Sequence, residues 1–124
     1  MRGLADQAGG TVFVADDPRL EAPLPQPRVD AIAQLVADKG VETVLFAQSI
    51  LAADIAAGLA ARLDAGLNWQ LTDLVEDGGS LLVGTGSDGK IFRLSGNPAR
   101  ATLLARAAAR QVTALLREPS GRIV

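Results

Sequence analysis

Three polar residues stand where this chain could grip a small molecule: Asp16, Gln48 and Ser49. Asp16 follows the apolar run Thr11-Val12-Phe13-Val14-Ala15, and Gln48-Ser49 follow Val44-Leu45-Phe46-Ala47. If both runs are strands of an open parallel sheet, these side chains sit at its carboxyl edge, where such sheets bind ligands. The chemistry on offer is hydrogen bonding to an adenine nucleotide, with the N-terminus of the following helix attracting an anion. Each residue also has a plainer job. Asp16 and Asp17 are adjacent, so their carboxylates point to opposite sides of the chain and make a poor acid/base pair. Turn and cap chemistry ahead of Pro18 suits them better. Ser49 is placed to cap a helix, and Asp54 lies in that helix's first turn, where a negative charge is favourable on dipole grounds.

The residue types that are missing narrow the chemistry further. The chain has no Cys, no His and no Tyr. Zinc sites built on Cys or His, thiol redox chemistry and Ser-His or Cys-His nucleophile pairs are all excluded. The motif Gly84-Thr85-Gly86-Ser87-Asp88-Gly89 has the G-x-G-x-x-G spacing of a dinucleotide loop and follows an apolar run. Such a loop must open a helix whose N-terminus faces the pyrophosphate. This one opens Lys90-Ile91-Phe92-Arg93-Leu94, which reads as a strand, so a glycine-rich hairpin is expected. No catalytic residue and no metal ligand is expected on this chain, which reads as no self-contained enzyme.

Composition sets the outer bounds. The 124 residues are 48% hydrophobic and 21% charged, with a net charge of -2, and the sequence pI is near 5.0. One domain over residues 1–124 is expected, long enough to bury roughly two thirds of its unfolded surface. The acidic balance argues against nucleic acid, where phosphate neutralisation dominates affinity. No segment reaches the ~20 apolar residues of a membrane span, and MRGLADQAGG lacks a signal-peptide core. No membrane insertion and a cytoplasmic location are the expectations.

The elements that would position these residues follow from periodicity. Residues 18–27 hold the proline-rich LEAPLPQP, which lacks ladder donors and reads as a loop, with Pro27 suited to a first helical turn. Val29, Ile32, Ala33 and Val36 form the i, i+3, i+4, i+7 stripe of a helix ending at Lys39-Gly40. Leu51, Ile55, Leu59 and Leu63 predict a second helix, with Gly66 as its stop. Strand, helix, strand, helix is the grammar of a parallel sheet with helices on its faces. The second half changes character. Leu81-Leu82-Val83 and Ile91-Phe92-Arg93-Leu94 predict strands around an Asp-Gly hairpin turn at Ser87–Lys90. Residues 99–117 admit two readings. Propensity favours a helix with Asn97 as N-cap, Pro98 at N1 and a face of Leu104, Ala108, Val112 and Leu115. The other reading is a strand near 101–106. Trp69, the only tryptophan, fits an exposed docking aromatic and a core plug equally well.

The stretch VLFAQSILAADIAAGLAARLDAGLNWQLTDL, from Val44 to Leu74, resembles the alpha subunit of electron transfer flavoproteins. Members of that family carry a segment like ATxxGxDLAPRLAARLGTGLxxDxTDL at this place. The likeness runs from about residue 8 to Val124, matching the later part of the family's N-terminal domain. Ala101–Arg106 is similar to the family's ATVRPG-like strand, which favours the strand reading. The pattern departs in places. Gly58 stands where an Arg is common, Gln70 replaces an Asp, VGTGSDGK replaces a segment like RPAFGGN, and Ala107-Ala108 replace a proline-glycine.

The resemblance implies a three-layer α/β/α fold with a mainly parallel sheet, of the adenine-nucleotide-hydrolase-like type and only partial here. It implies a beta-type partner subunit and a scaffold role. FAD is implied as a cofactor held elsewhere rather than by this chain alone. The main alternatives are a free-standing adenine-nucleotide module that holds AMP through Asp16, Gln48 and Ser49, and a ligand-free protein-interaction domain. A parallel sheet lacking its opening strands has a bare edge, so self-association through that edge is also expected.

Overall fold

The computed structural model describes residues 9–96 and 100–124. It divides the chain between Ala65 and Gly66 into a helical unit and a sheet unit.

In the first unit, Asp17 caps a single 3₁₀ turn, Pro18–Leu20, and helix α1 spans Pro25–Lys39. The helix begins two residues earlier than Pro27 suggests. Pro25 and Pro27 both fall in the first turn, where the backbone N–H groups have no intrahelical acceptor and a proline loses nothing. Leu24 offers no side-chain cap. Arg28 instead ties the preceding loop to the helix, donating to the carbonyls of Leu20, Ala22 and Leu24 at 2.7, 2.6 and 2.8 Å. The helix ends as expected at Gly40, whose φ of 62° is left-handed and whose N–H bonds to the Val36 carbonyl. Helix α2 spans Ile50–Leu63 and stops on Asp64 in the left-handed region, two residues before Gly66. Aspartate is among the few residues that tolerate that conformation.

The two helices meet through Val29, Ile55 and Leu59, with Ile32, Ala33, Phe46 and Leu51 packed around them. Gly58 permits the close approach, because a Cβ there would lie 3.0 Å from Val29 Cγ2. An exposed Arg62–Asp30 ion pair joins the helices at the surface.

The parallel sheet expected from the sequence is not found among the described residues. Thr11–Ala15 and Val44–Ala47 belong to no strand, and they leave Val14 68% and Leu45 67% exposed. The physical reason is one of partners. A parallel strand is buried on both faces and needs neighbours along its length. Two short runs beside one helix pair have neither. In place of the three-layer arrangement, the described residues form a small α/β chain with two helices and one antiparallel sheet.

That sheet occupies the second unit. Strands β1 (Leu71–Asp77), β2 (Ser80–Thr85), β3 (Lys90–Ser95) and β4 (Arg100–Arg106) lie in chain order, each antiparallel to the next. Gly78-Gly79 and Asp88-Gly89 form the first two turns with positive φ at both central residues. This is the primed-turn geometry that matches strand twist. Residues 100–106 resolve the open choice as a strand. The Asn97 and Pro98 cap of the helical reading lies outside the described residues. Alanine-rich propensity loses here to ladder pairing with β3 and to burial of Val112 and Leu115 against the sheet.

One face of the sheet presents Val75, Leu82 and Ile91, and it is covered by Ala107, Val112, Leu115 and Ile123 from the C-terminal segment. Leu82 is 2% exposed there. The opposite face carries the cross-strand row Leu74, Val83, Phe92 and Leu103, in which Val83 is fully buried. The covering segment is fastened by main-chain bonds. Ala107 donates to the Gly89 carbonyl at 2.8 Å, and Val112 donates to that of Thr85 at 3.2 Å. Leu116 and Val124 exchange bonds of 2.8 and 2.9 Å that close the tail on itself. Trp69 lies half-exposed just before β1.

Candidate functional site

Of the two adjacent carboxylates, Asp17 does the capping. Its Oδ1 accepts from the Arg19 backbone N–H at 2.9 Å and from Nε at 2.8 Å, and its Oδ2 accepts from Nη2 at 2.7 Å. The Arg19 guanidinium and backbone N–H together hold the Asp17 carboxyl well below the usual carboxylate range. Asp16 stays exposed beside it.

Gln48 is also exposed. Ser49 is spent on the helix it precedes, its Oγ accepting from the Ala52 N–H at 3.0 Å. Asp54 lies on the exposed face of α2. Asp16, Gln48 and Ser49 share no hydrogen bond among the described residues. The paired strand ends that would have lined them up on one sheet edge are not formed.

The glycine motif is a hairpin, as its following segment suggested, and the N–H groups of Gly86 and Gly89 are already used. Gly86 donates to the Gln70 carbonyl at 3.0 Å, and Gly89 donates to that of Arg110 at 2.8 Å. The Thr85 hydroxyl faces the carbonyls of Ser87 and Lys90 at 2.9 and 3.0 Å. A Cβ on Gly89 would strike the Ala109 carbonyl oxygen. The backbone of residues 107–110 thus fills the space a pyrophosphate would need, and β3 rather than a helix follows. Within either unit, the residues singled out by type and spacing do not fit the diphosphate of a flavin or of an adenine nucleotide.

The polar groups that spacing did not flag are those that lock the sheet unit together. Asp73 accepts from the Leu74 N–H at 2.8 Å through Oδ1 and from the distant Leu115 N–H at 2.6 Å through Oδ2. The Leu115 bond, with help from Leu74, lowers its pKa. Arg93 and Arg117 each approach Asp77 to 3.1 Å, and Arg117 also donates to the Glu76 carbonyl. Spacing gave no hint of the Asp73–Leu115 and Asp77–Arg117 contacts, whose partners lie 42 and 40 positions apart. These contacts hold structure and are not aimed at an open site. Among the described residues, no group of three or more acidic side chains is gathered to hold a metal, and no helix is long and apolar enough to cross a membrane.

The model of one family, the electron transfer flavoprotein domain, matches residues 2–93. Within the described residues that stretch holds both helices, β1, β2 and the start of β3. No curated protein and no solved structure matches the chain.

Proposed function

Since the chain belongs to the electron transfer flavoprotein domain family, we propose that it is an alpha-type component of such a flavoprotein, serving as scaffold and interface. The observation that carries this reading is the family match over residues 2–93. The alpha assignment leans on the segment from Ala60 to Leu74, AARLDAGLNWQLTDL. Family members work in complexes with partner subunits, and a beta-type subunit is the partner proposed here. The flavin is held outside this chain, which contributes no catalytic residue.

Two features support an interface role. The polar groups that are well placed, Asp17, Ser49, Asp73 and Asp77, are engaged with the chain's own backbone and arginines. The apolar side chains of Val12, Phe13, Val14 and Leu45 face solvent. In the assembled flavoprotein, the partner subunit covers Thr11–Ala15 and Val44–Ala47. That contact would bury surface which otherwise costs about 25 cal/mol per Å² of apolar area.

Native mass spectrometry of the purified chain, with FAD and with AMP, tests the reading. The expected result is a protein-only mass in both cases, with flavin retained only after co-purification with a beta-type subunit. A stoichiometric adduct of FAD or AMP on the chain alone would overturn it.

A further inference from the structure

We propose that the outer edge of β4 receives an extended segment of a partner chain, apolar at its centre and acidic at both ends, which adds a fifth strand to the sheet. The sheet has two border strands, β1 and β4. The β1 border is already engaged. Arg117 holds the Glu76 carbonyl and the Asp77 carboxylate, and Leu115 bonds to Asp73. Among the described residues, the β4 border has no such cover. All seven of its residues are exposed, with Leu103 at 52% and Leu104 at 50%. A bare strand edge offers a row of unpaired N–H and C=O groups to any extended chain, and strand addition is a recurrent mode of peptide recognition.

The charges say which chain. Strand β4 reads Arg-Ala-Thr-Leu-Leu-Ala-Arg, with a cation at each end and no acid, and Arg110 follows closely. Lys90, Arg93, Arg117 and Arg122 are each paired with a carboxylate. Arg100, Arg106 and Arg110 form no ion pair among the described residues. A second copy of this chain is a poor occupant. Antiparallel pairing centred on Leu103 sets Arg100 of each copy opposite Arg106 of the other, and like charges directly opposed are destabilising.

A bulge supplies the other constraint. Phe92 pairs with Leu103 and Ile91 with Ala105, which leaves Leu104 as the extra residue. The regular run is therefore Arg100–Leu103, with Arg106 beyond the twist that a bulge introduces. A segment of about seven residues with a Val-, Ile- or Leu-rich centre spans the strand, and a Glu or Asp at each end matches the two arginines. This inference stands on the sheet unit alone and does not depend on where a flavin is bound.

The test titrates the full chain with three labelled heptapeptides, built on a Val-Thr-Val centre in two and a Val-Pro-Val centre in the third, read by fluorescence anisotropy. One has Glu at both ends, one has Lys at both ends, and one has Glu ends and a central proline. The Glu-ended peptide is expected to bind roughly tenfold tighter than the Lys-ended one, from two cross-strand charge pairs reversed in sign. The proline peptide should not bind, and amide exchange over residues 100–106 should slow only with the Glu-ended peptide. The double variant Arg100→Glu/Arg106→Glu, altered only at exposed side chains and checked for an unchanged circular dichroism spectrum, should reverse the preference. Absence of binding, equal affinity for Glu- and Lys-ended peptides, or protection confined to residues outside β4 would each overturn the proposal. So would concentration-dependent protection of residues 100–106 without peptide, because the edge would then belong to a second copy. Flavin retention is a separate readout, so failure here and failure of the scaffold reading are distinguishable.

Discussion

Gly89 illustrates how a residue chosen by motif can be claimed by packing. It lies at φ 57° with the Ala109 carbonyl against the place a Cβ would occupy. Gly89→Ala must accept a left-handed backbone, at about 1–2 kcal/mol, and must also displace the covering segment. Thermal unfolding of the variant should show a loss larger than the backbone cost alone. A loss within that cost would mean the segment yields freely. Asp73 is the polar counterpart, joining β1 to the same segment through Leu115. Its folded pKa lies below the ordinary carboxylate value. The stability it contributes is therefore complete above that ordinary value and is lost as pH falls through the folded pKa. Urea unfolding between about pH 6 and pH 2 should show stability falling with acid, and Asp73→Asn should make that fall shallower. Asp17 and Glu118, also lowered by their arginine partners, keep part of the slope in the variant. An unchanged slope would remove Asp73 from the acid response.

At the scale of elements, α1 and α2 are held by few residues, since Val29, Ile55 and Leu59 are the buried members of their contact. Leu59→Ala should destabilise the helical unit by about 2–5 kcal/mol, read as loss of helical circular dichroism at lower urea. Leu82→Ala is the matching probe of the sheet unit, with a loss in the same range. The helices were legible in the sequence because a 3.6-residue stripe and a Lys-Gly stop are local signals. The Asp88-Gly89 turn was legible for the same reason. The runs Thr11–Ala15 and Val44–Ala47 were misleading because apolarity says only that a segment favours burial, not what will bury it. The shared sheet edge that would have grouped Asp16, Gln48 and Ser49 is not formed among the described residues. Arg100–Arg106 shows the opposite error of propensity. Its alanines and leucines suit a helix, yet pairing with Lys90–Ser95 makes it a strand. The Asp73 clamp was invisible because a carboxylate and an N–H 42 positions apart leave no spacing signature.

For the molecule as a whole, the two kinds of exposed surface that invite association differ in charge. Strand β4 carries arginines that oppose pairing with its own copy. Thr11–Ala15 carries no charge at all, and Val44–Ala47 carries none either. Both runs are rich in β-branched and aromatic side chains and are partly exposed, which is the composition of segments that pair between chains. A net charge of only -2 gives little long-range repulsion to keep copies apart. The isolated chain should therefore self-associate as concentration rises, seen as an increasing mass by light scattering. The double variant Val14→Lys/Leu45→Lys, which places a charge in each run, should hold it monomeric. A beta-type subunit added in excess should suppress self-association in the same way if it covers the same runs. Persistence of the assembly with the partner bound would separate the two surfaces, and a parent chain that stays monomeric up to about millimolar concentration would show that these runs, exposed as they are, do not drive pairing.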